Sequence, residues 1–170
     1  ISGIEEVLIN EKPDCIRLYG DTNSTLAGAI AASKLHFPVI HIEAGLRSFN
    51  KSMPEELNRI ISDHSSTLLF APTNAAFKNL INEGFRPENQ PPYTIDNPKI
   101  YLTGDIMYDN SLFFAELAEK KKSYFFSEMS LDRDNFILVT IHRDINTDDP
   151  ARLQSILSTL HEMAEEYKIP

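Results

Sequence analysis

The sequence predicts an α/β protein built on a mainly parallel sheet with helices on its faces. Short runs rich in Ile, Leu, Val, Phe or Tyr alternate with longer segments of helical periodicity. This alternation is typical of successive strand–helix units. The chain has 170 residues, 42% of them hydrophobic and 24% charged, so it is long and apolar enough to bury a core of ordinary size.

Five segments have the length and the apolar, β-branched or aromatic composition of strands. They are Cys15–Tyr19, Pro38–Ile42, Thr67–Phe70, Ile100–Thr103 and Phe136–Ile141. Six helical segments surround them: Ser2–Asn10, Ser24–Leu35, Glu55–His64, Asn74–Glu83, Asp105–Lys121 and Pro150–Tyr167. Gly84 is expected to end the fourth helix, and Pro150 to occupy the first turn of the sixth.

Two segments interrupt this alternation. Arg86–Pro98 is dense in Pro and Asn, which predicts an irregular excursion before the next strand. Around Ser123–Asn135, aromatic residues give way to Asp and Arg, which marks a candidate domain boundary. One strand and one helix cannot bury their faces alone, so Asp134–Pro170 is expected to open a domain whose remainder is absent. The first residue, Ile1, also hints at truncation because no initiator methionine is present.

Composition and charge exclude several classes of protein. The net charge of −9 argues against a nucleic-acid surface, which needs clustered Lys and Arg. No apolar run approaches the roughly 20 residues that cross a bilayer, and no export signal precedes the first helix. The single cysteine, Cys15, lies in an apolar run, and we expect a buried thiol in a reduced, cytoplasmic compartment.

Polar residues follow four of the predicted strands. They are Gly20–Asn23, Glu43–Arg47, Gly104-Asp105 and His142-Arg143. Ligands of open parallel sheets gather at the carboxyl ends of the strands. The sequence therefore predicts that these segments converge on a charged cleft.

Four candidate carboxylates, those of Asp21, Glu43, Glu55 and Glu56, each have a structural alternative. On its position alone, Asp21 is better explained as an N-terminal helix cap than as a functional group. Glu43 is equally compatible with an ion pair to Arg47 and with a positioned acid or base. Glu55 and Glu56 lie in a first helical turn, where carboxylates suit the helix dipole whatever their function.

His142 and Arg143 end an apolar run with two groups that can donate to phosphate oxygens. A buried histidine bonded to backbone is the alternative for His142. The other histidines lack the spacing of metal ligands, and no Walker A or G-x-G-x-x-G loop is present. We therefore expect neither a metal nor a nicotinamide cofactor.

Five motifs occur in order along nearly the whole chain. They are Gly20-Asp-Thr-Asn-Ser-Thr-Leu-Ala-Gly28, His41-Ile-Glu-Ala-Gly-Leu-Arg47, Met53-Pro-Glu-Glu-Leu-Asn-Arg59, Gly104-Asp-Ile-Met-Tyr-Asp109 and Thr140-Ile-His-Arg143. In order and spacing they resemble the non-hydrolysing UDP-N-acetylglucosamine 2-epimerase family. The resemblance implies two Rossmann-like domains of the GT-B type with the active site between them. Residues 1–123 would be the latter part of the N-terminal domain, 124–134 the interdomain connection and 135–170 the start of the C-terminal domain.

The resemblance also implies the reaction, an inversion of C2 in a UDP-N-acetylhexosamine. The C1–O bond to UDP breaks, the C2 proton is lost and a 2-acetamidoglucal forms. UDP then adds back with C2 inverted. Asp21, Glu43 and Glu55 match the three carboxylates of the family, which would carry protons and stabilise positive charge near C1 and C2.

The remaining site residues are also assigned by the resemblance. His142 matches the histidine placed near the departing diphosphate, and Arg143 is expected to support that geometry. Arg47 and Arg59 are expected to contact substrate, to orient the carboxylates or to hold loops. By the same resemblance, the parent protein is expected to be a cytoplasmic homodimer that binds a UDP-sugar and serves surface-polysaccharide synthesis.

The chain departs from the family pattern in two places. Relatives commonly carry Glu where this chain has Ile145. The loop Ser48–Met53 is more similar to members that act on UDP-2,3-diacetamido sugars, including the glucuronate. The alternatives are therefore a UDP-2,3-diacetamido-glucuronate 2-epimerase, a hydrolysing epimerase or an inert nucleotide-sugar-binding module. Since ligand-binding segments of the family lie outside this chain, the 170 residues alone are expected to turn over poorly.

Overall fold

In a computed structural model, which describes residues 1–121, 124–132 and 135–170, the chain divides into two units, Ile1–Ser111 and Leu112–Pro170. The domain boundaries predicted from the sequence stay a prediction. Within the described ranges, no helix has both the length and the apolar character that crossing a bilayer requires.

The first unit is built on a four-stranded parallel sheet in the order β1-β2-β3-β4. Its strands are β1 (Ile16–Tyr19), β2 (Val39–Ile42), β3 (Leu68–Ala71) and β4 (Lys99–Leu102). Strands that are consecutive in the sequence are also neighbours in the sheet, and all pairs are parallel. Four of the five predicted strands are confirmed to within one residue at each end, as is the α/β class.

The helices between and beside these strands also follow the prediction to within one residue. They are α1 (Ser2–Glu11), α2 (Asn23–Lys34), α3 (Pro54–His64), α4 (Asn74–Asn82) and α5 (Ile106–Lys121). Local chemistry fixes their ends. The side chains of Thr22 and Thr73 cap α2 and α4, and Pro54 begins α3. Gly84, at φ +99°, follows the last turn of α4 as expected.

Two clusters of buried apolar residues hold helices against the sheet. One joins α1 and α2 to the first two strands, and the other joins α4 to the last two. The first contains Leu8, Leu18, Ala29, Ala31, Ala32 and Val39, and the second Ala44, Leu69, Ala71, Ala76, Leu80, Phe85 and Ile100. The small residues of α2 allow close packing: a Cβ on Gly28 would lie 2.7 Å from Leu18 Cδ2.

The second unit contains the part of α5 from Leu112 onwards and the helices α6 (Phe125–Glu128), α7 (Asp144–Thr147) and α8 (Pro150–Tyr167). Helix α8 and its first-turn proline were predicted, whereas α6 and α7 were not. The predicted strand Phe136–Ile141 is wrong, because these residues form no strand and Ile137 N–H instead bonds to the Pro170 carbonyl. A strand exists only when it is paired, and no described segment of this unit pairs with it.

Two smaller predictions have different outcomes. Residues 86–98 are irregular, as expected from their Pro and Asn content. The prediction of a buried thiol is wrong, since Cys15 is exposed. Strand β1 begins one residue later, at Ile16, so Cys15 precedes the sheet instead of lying within it.

Candidate active site

The carboxyl ends of the strands bring three carboxylates together, those of Asp21, Glu43 and Asp105. Asp21 follows β1, Glu43 follows β2 and Asp105 follows β4. Burial, then the charges of Asp105 and Asp21, raise the pKa of Glu43 above its usual range, against the opposing effect of His41. Glu43 therefore keeps its proton to a higher pH than an exposed glutamate does.

Glu43 is held in an uncommon backbone conformation. Its φ is +72°, in a region that a residue with a long side chain rarely adopts. Its side chain is half-buried, and Oε2 would lie 3.7 Å from a Cβ built on Gly20. Such conformations persist where surrounding contacts over-determine them, and they cluster at functional sites.

Asp21 does not cap α2, so the structural explanation favoured by its sequence position is wrong. Thr22 is the cap and accepts a hydrogen bond from Thr25 N–H at 3.2 Å. The Asp21 carboxylate instead accepts from Arg59 Nη1 at 2.5 Å, and its carbonyl accepts from Asn58 Nδ2 at 2.8 Å. Helix α3 thus holds the segment after β1 through two side chains.

The neighbouring glutamates at the start of α3 have different surroundings. Glu55 is half-buried at the second residue of the helix, and its catalytic role stays a prediction. Glu56 is only 1% exposed and accepts hydrogen bonds from Ser48 N–H, Phe49 N–H and Arg59 Nη2 at 2.8–2.9 Å. Burial alone would raise the pKa of Glu56, but these donors lower it to about 2. Glu56 therefore anchors the loop after β2.

Arg47 does not pair with Glu43, so the ion-pair alternative for Glu43 is wrong. The Arg47 side chain is 1% exposed and donates to both carboxylate oxygens of Glu83, at 2.7 and 2.6 Å. It also lies 2.7 Å from Asp63 Oδ2. These contacts match the loop-holding alternative, and contact between Arg47 and substrate stays a prediction.

Sequence reasoning missed Asp63, Glu83 and Glu56 as parts of this site. One signal was available, because His41 lies in an apolar strand and a buried imidazole needs polar partners. His41 is fully buried, and its Nδ1 lies 2.6 Å from Asp63 Oδ1. The partner could not be identified in advance, since it lies 22 positions away in the sequence.

A cavity of about 440 Å³ opens beside Glu43 over the exposed face of the sheet. Apolar side chains of three strands form much of its wall, and Glu43, Arg17 and Asp109 supply charge. Its other lining residues are Tyr19, Ile40, Ile42, Phe70, Pro72, Thr103, Gly104 and Ile106. An apolar cavity with few polar groups is the usual form of a small-molecule site. Among residues 1–121, 124–132 and 135–170, no three His, Cys, Asp or Glu side chains are grouped as metal ligands.

His142 and Arg143 belong to the second unit. Both are exposed, so a buried His142 bonded to backbone is wrong. Arg143 directly precedes α7, and its carbonyl accepts from the N–H groups of Asn146 and Thr147 at 2.8 and 3.0 Å. The contacts of His142 and Arg143 with a diphosphate stay predictions.

The parallel sheet and the carboxylates at its carboxyl edge define a Rossmann-like α/β protein. The model of the UDP-N-acetylglucosamine 2-epimerase family matches residues 1–170, and the chain belongs to that family. It is 53% identical over 161 residues to UDP-2,3-diacetamido-2,3-dideoxy-D-glucuronate 2-epimerase of Pseudomonas aeruginosa. It is 44% identical over 166 residues to UDP-N-acetylglucosamine 2-epimerase of Methanocaldococcus jannaschii.

Solved structures of relatives have the same fold. The crystal structure of M. jannaschii UDP-GlcNAc 2-epimerase in complex with UDP-GlcNAc and UDP matches 99% of the chain with a TM-score of 0.84 and 41% identity. The UDP-GlcNAc 2-epimerase of Neisseria meningitidis, bound to UDP-GlcNAc, matches 98% with a TM-score of 0.79 and 31% identity. The matches to the P. aeruginosa and M. jannaschii sequences span 94% and 96% of this chain but only 41% and 42% of the relatives' own length. Each crystal structure is covered to 43%.

Proposed function

We propose that the full-length protein carrying this chain is a non-hydrolysing UDP-sugar 2-epimerase, an isomerase that inverts C2 of a UDP-N-acetylhexosamine. The observation that carries the proposal is the group of Asp21, Glu43 and Asp105 at the carboxyl edge of the sheet, where the pKa of Glu43 is raised. Membership of the epimerase family supports it.

The reaction needs carboxylates because the C2 hydrogen of an N-acetylhexosamine is not next to a carbonyl. Direct deprotonation at neutral pH would face a prohibitive barrier. When the C1–O bond breaks, its electron pair leaves with UDP and C1 gains oxocarbenium character. The C2 proton can then pass to a carboxylate, which leaves a 2-acetamidoglucal. UDP oxygen returns to C1 while C2 accepts a proton on the opposite face.

Glu43, Asp21 and Glu55 are the proposed carboxylates of this reaction. Burial and the neighbouring charges raise the pKa of Glu43 towards the range in which a group takes and returns protons efficiently. Asp21 is held by Arg59 and would stabilise positive charge at C1. We assign His142 and Arg143 to the departing diphosphate, Arg59 to the orientation of Asp21, and Arg47 to the loop that carries Glu43.

UDP-N-acetylglucosamine is the proposed substrate, since solved relatives are described in complex with UDP-GlcNAc. A second candidate is the UDP-2,3-diacetamido-glucuronate. The 53% identity to the P. aeruginosa diacetamido-glucuronate epimerase favours it, as does the loop Ser48–Met53. Both substrates would pass through the same elimination and addition at C1 and C2.

Deuterium exchange tests the proposal and separates the two substrates. The full-length protein is incubated in D₂O with each UDP-sugar, and deuterium at C2 is measured by NMR. Exchange and epimerisation are expected with one sugar in preference to the other. Glu43→Gln should slow exchange by about 10²–10⁴-fold, whereas the exposed Glu88→Gln is a matched control that should not. Binding of both sugars without exchange would identify an inert binding module and overturn the proposal.

Free UDP distinguishes a hydrolysing epimerase from the proposed enzyme. In the proposed reaction UDP returns to C1, so only a trace escapes during turnover. A coupled assay that measures UDP and the sugar product in the same reaction gives the ratio of free UDP to product. Free UDP in equal amount to product would contradict the non-hydrolysing assignment while leaving the role of the carboxylates intact.

We further propose that the full-length protein is a cytoplasmic homodimer. A nucleotide sugar is made and used inside the cell, which suits the cytoplasm. Sedimentation of the full-length protein measures the oligomeric state, and a monomer at working concentration would contradict the dimer.

A further inference from the structure

Asp63 is a buried carboxylate that contacts strand β2 and the loop after it, at the carboxyl edge of the sheet. It lies in α3 and is fully buried. Its Oδ1 lies 2.6 Å from His41 Nδ1, and its Oδ2 accepts from Gly45 N–H at 3.0 Å and lies 2.7 Å from Arg47 Nη2. Its Oδ2 therefore has two donors, the Gly45 amide and the Arg47 guanidinium, and serves as an acceptor.

His41 carries the influence of Asp63 to the segment after β1. The imidazole is fully buried in β2, and its Nε2 lies 2.8 Å from the Gly20 carbonyl oxygen. The Gly20 carbonyl can only accept, so Nε2 donates to it, and the 2.6 Å contact between Nδ1 and Asp63 Oδ1 needs a second proton between these two atoms. The raised pKa of His41 places that proton on the ring, which makes His41 an imidazolium. Burial alone would lower the pKa of His41, but the hydrogen bond and charge of Asp63 outweigh it and the pKa is raised.

The two loops that Asp63 holds carry two of the candidate carboxylates. Through His41 it fixes Gly20, which immediately precedes Asp21, and through the Gly45 amide it fixes the turn that contains Glu43. The backbone of this region is unusual, with φ +65° at Gly20, +72° at Glu43 and +79° at Gly45. Segments in such conformations need contacts from outside to hold them.

Four charges form a compensated group behind these loops. The cations of His41 and Arg47 face the anions of Asp63 and Glu83, and all but Glu83 have side chains at most 1% exposed. Buried ion pairs are often no more stabilising than apolar side chains of similar volume. A gain in stability is therefore a weak explanation for four charges at this position. Their directional contacts, which fix the separation of the two loops, are a better one.

We propose that Asp63 is a positioning residue of the epimerase reaction, which sets the placement of Asp21 and Glu43 through His41 and the Gly45 amide. This inference rests on the proposed function. Asp63 would act without touching substrate, because its side chain is fully enclosed by protein. A direct role is left to the carboxylates that it positions.

Asp63→Asn tests the proposal because it preserves shape while removing charge. The Asn oxygen can still accept from Gly45 and Arg47, and its amide can donate to a neutral His41. In the full-length enzyme, kcat should fall by about 10²-fold, with the KM for UDP-sugar close to that of the wild type. Asp14→Asn is the matched control, since Asp14 is exposed before β1, and it should leave both constants unchanged.

The pH profile separates positioning from simple destabilisation. Glu43 is half-buried beside Asp105, Asp21 and His41, and His41 faces Asp63 and Arg47. A neutral His41 no longer lowers the pKa of Glu43, so the acidic limb of kcat/KM should move to higher pH in Asp63→Asn. A variant that only unfolds more easily would lose activity without moving that limb.

A second variant keeps the test decisive if Asp63→Asn does not fold. His41→Gln retains an amide that can donate to Gly20 and lacks the cation, so the acidic limb should again move to higher pH. A folded variant that has the kcat of the wild type and an unmoved acidic limb of kcat/KM would overturn the inference while leaving the proposed function in place. Absence of C2 exchange in the wild-type enzyme would instead overturn the proposed function, and the inference with it.

Discussion

Replacement of Glu56 by Gln should destabilise the first unit by about 3 kcal/mol at neutral pH. The carboxylate accepts hydrogen bonds from Ser48, Phe49 and Arg59, and Gln can offer only one acceptor oxygen to them. Burial alone would raise the pKa of Glu56, yet the donors lower it from 4.5 to about 2. Since each pKa unit corresponds to about 1.4 kcal/mol, the difference gives the expected magnitude.

The sign of the pH dependence follows from the lowered pKa. Ionised Glu56 stabilises the folded state above pH 4.5, and this stabilisation disappears as the pH falls through about 2. Urea denaturation followed by circular dichroism gives the free energy of unfolding at neutral pH and at successive acidic values. The gap between wild type and Glu56→Gln should be widest at neutral pH and should close in acid.

An exposed glutamate provides the control for this experiment. Glu88→Gln removes the same charge from the irregular segment before β4 and should change stability by no more than about 0.5 kcal/mol. Equal stability of the Glu56 and Glu88 variants would refute the conclusion that the Glu56 hydrogen bonds stabilise the fold.

Two further predictions concern the turn after β2. In Asp105→Asn the side-chain oxygen can still accept from the Met107 and Tyr108 N–H groups at the start of α5, as Asp105 Oδ1 does. The variant removes a charge that raises the pKa of Glu43, so the acidic limb of kcat/KM should move to lower pH. An unmoved limb would contradict the coupling. Gly45 has a φ of +79°, and Gly45→Ala would place a Cβ 2.3 Å from the Ala76 carbonyl oxygen. Thermal denaturation should show that this variant loses about 3 kcal/mol of the free energy of unfolding. Gly84 has a φ of +99° and open space around it, so Gly84→Ala should lower the free energy of unfolding by only about 1–2 kcal/mol. Equal losses in the two variants would show that the contact with Ala76 is not the cause of the destabilisation.

The fold of the first unit could be predicted because its signals are local. Each of its strands is short and mostly apolar, and helices α2, α3 and α4 begin at residues that suit a helix start, Thr22, Pro54 and Thr73. The segment Phe136–Ile141 has the same composition, yet it forms no strand. Strand formation depends on a neighbouring strand, and composition does not reveal whether one is present.

The candidate site could be predicted only in part, for a related reason. The positions of Asp21 and Glu43 follow from the rule that strand ends converge. Their partners do not, because Arg59 lies 38 positions from Asp21 and Glu83 lies 36 positions from Arg47. Helical periodicity also could not separate Glu55 from Glu56, whose difference depends on which of them faces the loop after β2.

Position 43 sets thermal stability against activity. Glycine adopts a φ near +72° without the Cβ contact that costs other residues about 1–2 kcal/mol, and it has no carboxylate to bury. The substitution that relaxes this turn is therefore one that removes the proposed proton carrier. Directed evolution towards heat resistance would therefore select glycine at position 43, and the protein would become inert unless turnover is also selected in every round.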